Sequence, residues 1–248
     1  MNNIDNFDYE IQGLGARQGS TGFRQADMPL AFATLMRKVY TWMALALVIT
    51  GLTAFGVSHS PNLIMAIYSN SILWGLVIAE LALVFSISGM IQRMSLSTAT
   101  LLFVVYSVLN GVTLSSIFLL YTEALIAKVF FITAGTFGAM AFYGYTTKTD
   151  LTSIGKILLM ALVGIIIATV VNIFVGSTGL ETILSYAGVV VFVGLTAYDS
   201  QKIKQMLLQY GDMGEQGQKL ALLGSLTLYL DFINLFLYLL RIFGGRRE

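Results

Sequence analysis

The stretch Leu220-Ala-Leu-Leu-Gly-Ser-Leu-Thr-Leu-Tyr-Leu-Asp-Phe-Ile-Asn-Leu-Phe-Leu-Tyr-Leu-Leu-Arg-Ile-Phe243 decides the fold of this chain. It is long enough to cross a bilayer as a helix, which takes about 20 mostly apolar residues. Yet Asp231 stands in its middle, about eleven residues in, where a rise of 1.5 Å per residue puts it about 16 Å deep. A carboxylate so far from water is expensive, so acids at such depths line an ion path, a proton relay or a buried pair. The run before it carries Asp199 near its end, in Leu195-Thr-Ala-Tyr-Asp-Ser-Gln-Lys-Ile-Lys204. Of the 13 acids in the chain, Glu80, Asp199 and Asp231 are the ones inside long apolar segments.

Composition extends this reading to the whole chain. Of 248 residues, 56% are hydrophobic and only 11% charged, against about a quarter charged in soluble domains. The chain reads as an all-α, polytopic membrane protein whose first partner is the lipid bilayer. Seven segments qualify as transmembrane helices: Val39-Val57, Ser71-Met90, Thr98-Leu120, Lys128-Tyr145, Ile154-Val175, Ile183-Ile203 and Leu220-Phe243. Short links with turn formers separate them, such as Ser58-Pro61-Asn62 and Gly176-Ser177-Thr178-Gly179. Residues 1–36 read as a flexible cytoplasmic tail, and residues 37–248 as one seven-helix transmembrane domain. Small residues at Ala134 and Gly138, and at Gly188 and Gly194, signal close helix packing.

Charge sets the orientation. Arg17, Arg24, Arg37, Lys38, Arg93, Lys148, Lys156, Lys202, Lys204 and Lys219 fall on one side, which the positive-inside rule makes cytoplasmic. With seven full spans, Lys128, Arg241, Arg246 and Arg247 fall outside; a re-entrant last segment would return the three arginines to the cytoplasm. The length of the last segment favours a full crossing.

Several functions are excluded or disfavoured. A net charge of +1 leaves no basic stripe for nucleic acid. With no cysteine and the single histidine His59, disulfides, thiolate chemistry and His-cluster metal centres are out. An intramembrane aspartyl protease would fit Tyr198-Asp199, but its second motif needs glycines before the aspartate, where this chain has Leu228-Tyr229-Leu230. No Gly-x-Ser-x-Gly elbow supports a serine protease. The expectation is that the chain is not an enzyme.

Asp199 and Asp231 lie on helices joined at the cytoplasmic side, so these helices are antiparallel and their acids can meet. Two meeting carboxyls cannot both ionise cheaply and share one proton over part of the pH range. Such a pair senses pH: protonated it closes a path, ionised it admits a cation. In the alternative reading each acid stays neutral and bonds Tyr198, Tyr229 or Asn234. Glu80 either lines the same path or caps a polar cluster with Asn110 and Asn172. Arg93 is a candidate latch onto Asp199, or else an interfacial anchor. No cofactor and no firm metal site are expected. A cation that needs many oxygens would contact Asp199 and Asp231 only weakly.

Tyr198-Asp199, Gln201-Lys202-Ile203-Lys204, Leu228 to Phe236, and Leu239-Leu-Arg-Ile-Phe-Gly244 together resemble the Bax inhibitor-1 family, the transmembrane Bax inhibitor motif proteins. Weaker echoes occur at Glu80, at Gly111-Val-Thr-Leu114 and at Asn172-Ile-Phe174. The resemblance implies six helices surrounding a central seventh and a pH-sensitive calcium leak. It also implies that the acids matching Asp199 and Asp231 form a proton-sharing sensor, so calcium ions and protons become partners. Bacterial members carry a latching arginine at the end of helix two. Here the aligned position is Ile91, and Arg93 comes two residues later, turned by about 200°. A bacterial inner membrane with a cytoplasmic N-terminus is the expected location. The competing expectation is a non-conducting regulator that binds another membrane protein, a protease or a cell-death component.

Overall fold

The structure, a computed structural model, describes residues 28–68, 72–210 and 214–245. Among these residues there is no strand. Seven helices are long and apolar enough to cross a membrane: α1 (Met28–Ser58), α2 (Ile72–Met90), α3 (Leu96–Leu114), α4 (Glu123–Thr146), α5 (Thr152–Val175), α6 (Thr178–Tyr210) and α7 (Glu215–Gly244). The protein is thus an all-α integral membrane protein.

Local chemistry sets where the helices start and stop. Ser95 caps α3 by accepting from the Thr98 backbone N–H at 3.1 Å, and Thr122 caps α4 by accepting from that of Leu125 at 3.3 Å. α5 ends at Gly176, whose φ of 67° is a left-handed conformation that glycine adopts without penalty.

Several helices outrun their apolar cores. α1 begins at Met28 rather than Val39, α6 continues past Ile203 to Tyr210, and α7 begins at Glu215 rather than Leu220. Their extensions are amphipathic or polar, so hydropathy alone marks only the lipid-crossing part. The link after α1 holds a short helix, Pro61–Tyr68, with proline at its first position. The third span is not one helix: α3 stops at Leu114 and resumes as Ile117–Leu120. The Tyr68 hydroxyl fills the break, accepting from Ser116 N–H at 3.0 Å and donating to the Thr113 carbonyl at 2.8 Å. A break at membrane depth needs such partners because lipid offers none. Residues 1–27 of the expected tail, and Arg246, Arg247 and Glu248, lie outside the described residues.

The bundle is arranged around α7. In the most apolar window of that helix 72% is buried, against 6% in α2 and in α5. α7 packs on α1, α3, α4 and α6; α2 leans on α3, and α5 on α6. Direct packing on the last helix is therefore carried mainly by four of its neighbours, with α2 and α5 outside. Leu222, Leu226, Leu228, Tyr229 and Leu235 of α7, with Leu195 of α6, are among the most buried side chains of the core. Of the small residues read as packing signals, Gly188 lies against the Tyr238 ring and Gly194 against Leu158. Gly138 does not pack: a side chain there would meet open space. The tightest contact is at Gly144, where a Cβ would stand 2.0 Å from the Ala197 carbonyl oxygen.

Candidate functional site: two polar layers on the seventh helix

Asp231 and Tyr229 are two residues apart near the middle of α7, so their side chains leave the helix about 200° apart. Each heads a separate polar layer within an otherwise apolar core.

Asp231 faces α6. Its carboxyl and that of Asp199 are neighbours that act on each other electrostatically, and both residues are buried. α6 continues about three turns beyond Asp199, to Tyr210, so Asp199 lies well inside the helix rather than near its end. Ionised carboxylates only accept hydrogen bonds, so a bond between two of them requires a proton on one. Asp231 Oδ2 is buried and has no hydrogen-bond partner among the described residues. Asp199 is the charged neighbour that acts on it most directly. Lys202, one turn along α6, acts on Asp199 electrostatically while its Nζ lies 5.7 Å from the centre of the Tyr198 ring. Lys204 is engaged elsewhere, donating to the Tyr145 carbonyl at 2.7 Å. Beside Asp199, the buried Ser200 Oγ has no well-directed hydrogen bond; the Tyr40 hydroxyl of α1 lies within range of it.

Tyr229 faces α1 and α3. Its hydroxyl donates to Asn110 Oδ1 at 3.0 Å and lies 2.7 Å from Thr50 Oγ1, which also reaches the Ser107 carbonyl at 2.9 Å. Asn110 in turn donates to Glu80 at 3.3 Å, and Thr113 donates to the other Glu80 oxygen at 2.5 Å. This layer joins α1, α2, α3 and α7, with the Tyr106 and Phe103 rings packed edge-on against Tyr229. Glu80 thus belongs to a cluster with Asn110, on the opposite face of α7 from the acid pair.

Other expected residues sit apart. Asn172 is not in the cluster: it accepts from the Ser177 backbone N–H at 3.1 Å and closes the α5–α6 turn. Asn234 donates to the Leu230 carbonyl of its own helix at 2.8 Å. Tyr198 lays its ring on the Gly155 backbone, so it packs α6 on α5 rather than bonding an acid. Arg93 ends the 3₁₀ turn Ile91–Arg93, is exposed, and forms no ion pair among the described residues. The inward position is Ile91, which is buried and apolar, so the structure does not bring Arg93 to Asp199. His59 is exposed, 3.5 Å from Glu123. Among the described residues no three His, Cys, Asp or Glu side chains converge as a metal cage would require.

Thr50, Ser107 and Thr113 were not anticipated. Thr113 follows Asn110 by three residues and so shares its helix face, which is the signal that could have found it. Thr50 becomes visible only through packing, since the Gly111 Cβ position is 2.6 Å from its carbonyl oxygen.

Seven membrane-crossing helices with buried carboxyls at Asp199 and Asp231 make this a polytopic membrane protein, and comparison with known proteins narrows the class. The family model described as inhibitor of apoptosis-promoting Bax1 matches residues 33–248. The inner membrane protein YbhL of Escherichia coli K12 is 51% identical over 216 residues, covering 86% of this chain and 92% of that protein. A protein of Borreliella burgdorferi is 49% identical, with the same coverage of 86% and 92%. One from Deinococcus radiodurans is 41% identical over 213 residues, covering 86% and 91%. The chain belongs to the Bax inhibitor-1 family.

Proposed function

We propose that this protein is a pH-sensitive cation leak of a bacterial inner membrane, with calcium as the transported ion and Asp199 and Asp231 as its gate. The N-terminus is cytoplasmic in this reading. The observation that carries it is the placement of two buried carboxyls, Asp199 and Asp231, as neighbours between α6 and α7. A proton holds the pair together. When pH rises and the proton leaves, two anions remain in contact at low dielectric, where repulsion far exceeds its value in water. The helices must then part, admit water, or take in a cation. Calcium answers that need best among common cytoplasmic and external cations by charge, with water and backbone oxygens completing its shell.

The sign is therefore fixed. Flux is low at acid pH, where the proton is retained, and rises toward alkaline pH. Purified full-length protein in vesicles loaded with a calcium indicator should admit calcium, faster at about pH 8 than at about pH 6. Vesicles that stay tight across this range would remove the conducting reading. The non-conducting regulator, which binds a membrane protein partner, would then stand.

A further inference from the structure

We infer that α1 carries a seat for one anionic diacyl glycerophospholipid, with its phosphate on Arg37 and its chains in two grooves that diverge from that residue. The first groove, of about 480 Å³, lies between α1 and α4 and is floored by Phe232 of α7. The second, also of about 480 Å³, runs along the neighbouring row of α1 past Ala44, Leu45 and Val48. Both begin at Arg37 and Tyr40. From Arg37 to Val48 is about 16 Å along a helix, which matches one leaflet of a hydrocarbon core about 30 Å thick.

The two ends differ in chemistry as a lipid does. The walls are apolar: Met43, Leu47, Phe130 and Phe137 line the first groove, and the Phe130 and Phe137 rings each lie 5.4 Å from that of Phe232. Gly138 leaves its part of the wall open, since nothing stands within 4 Å of its Cβ position. The mouth is cationic and hydroxyl-bearing. Arg37 is exposed and has no ion pair among the described residues. Tyr145 lines the mouth beside it and holds Lys204 Nζ at 5.1 Å from its ring centre. A guanidinium offers five donors suited to a phosphate, and basic side chains at a bilayer surface select anionic head groups.

This seat adjoins the acid pair without being part of it: Phe232 follows Asp231 in α7, and Tyr40 reaches toward Ser200 beside Asp199. The inference does not depend on conduction. It is tested by native mass spectrometry of the full chain released from detergent with dioleoyl phosphatidylglycerol or dioleoyl phosphatidylcholine. One phosphatidylglycerol should be retained per chain in preference to phosphatidylcholine. Arg37→Gln should weaken that retention about fivefold and leave phosphatidylcholine unchanged, as expected for one basic contact. Gly138→Leu should fill the groove and lower retention of phosphatidylglycerol at least tenfold. Gly164→Leu, at another open position on α5, should change neither. Equal retention of the two lipids, retention indifferent to Arg37→Gln, or a dimer that Gly138→Leu dissociates would overturn the assignment. If Gly138→Leu does not fold, the Arg37→Gln comparison alone decides it.

Discussion

Asp231→Asn is expected to abolish the pH response of calcium flux and to lower flux at about pH 8 by at least tenfold, equivalent to about 1.4 kcal/mol. Asparagine has nearly the shape of aspartate, and its amide can donate to Asp199 at every pH. The contact between α6 and α7 then persists with no proton to lose. The second negative charge, whose repulsion opens the wild-type pair, never forms. Asp199→Asn should give the same flat profile, because the proton belongs to the pair rather than to either residue. The measurement is calcium entry into indicator-loaded vesicles for the wild type and both variants. A wild-type pH profile surviving in Asp231→Asn would show that other groups sense pH.

Gly144→Leu is expected to cost about 3 kcal/mol or more and to lower the thermal midpoint in detergent by about 10 °C. The Cβ would stand 2.0 Å from the Ala197 carbonyl oxygen, and the obstacle is backbone, so no rotamer change relieves it. Leucine improves intrinsic helix propensity by up to about 1 kcal/mol, too little to offset the separation of α4 from α6. That separation would also disturb Asp199, two residues beyond Ala197 on α6. Gly138→Leu on the same helix should leave the midpoint unchanged, because open space surrounds that position. A midpoint insensitive to Gly144→Leu would mean that α4 and α6 do not pack as closely as described.

These two glycines show what the chain reveals unaided and what it withholds. Ala134 and Gly138 read as a close-packing pair, yet Gly138 lines a groove, and Gly144 makes the tight contact. Spacing marks a helix face but not which neighbour covers it. Seven lipid-crossing helices were legible because apolar length is a direct physical requirement of the bilayer. Their ends were not, since the last turns of α6 and the first turns of α7 are amphipathic and leave no hydropathy signal. Hydropathy therefore leaves Asp199 near the end of its run, whereas the helix carries on to Tyr210. Asp231 itself was conspicuous, because a carboxyl inside leucines demands a partner. For Glu80, Asn110 was foreseeable from its amide and depth, whereas Asn172 was placed with it wrongly. An asparagine at the end of α5 serves equally well to cap a turn, and it does so at Ser177. Arg93 was separable from Ile91 by helical rotation alone, and the structure keeps that order, with the isoleucine inward and the arginine exposed.

Infrared difference spectroscopy of the reconstituted protein, following the carboxylic C=O stretch through a pH titration, observes the proton between Asp199 and Asp231 itself. One buried protonated carboxyl per chain should be present at neutral pH, vanish toward alkaline pH, and be missing from both Asp231→Asn and Asp199→Asn. A wild type with no such band at neutral pH, or a band that persists in both variants, would contradict a gate built on one shared proton.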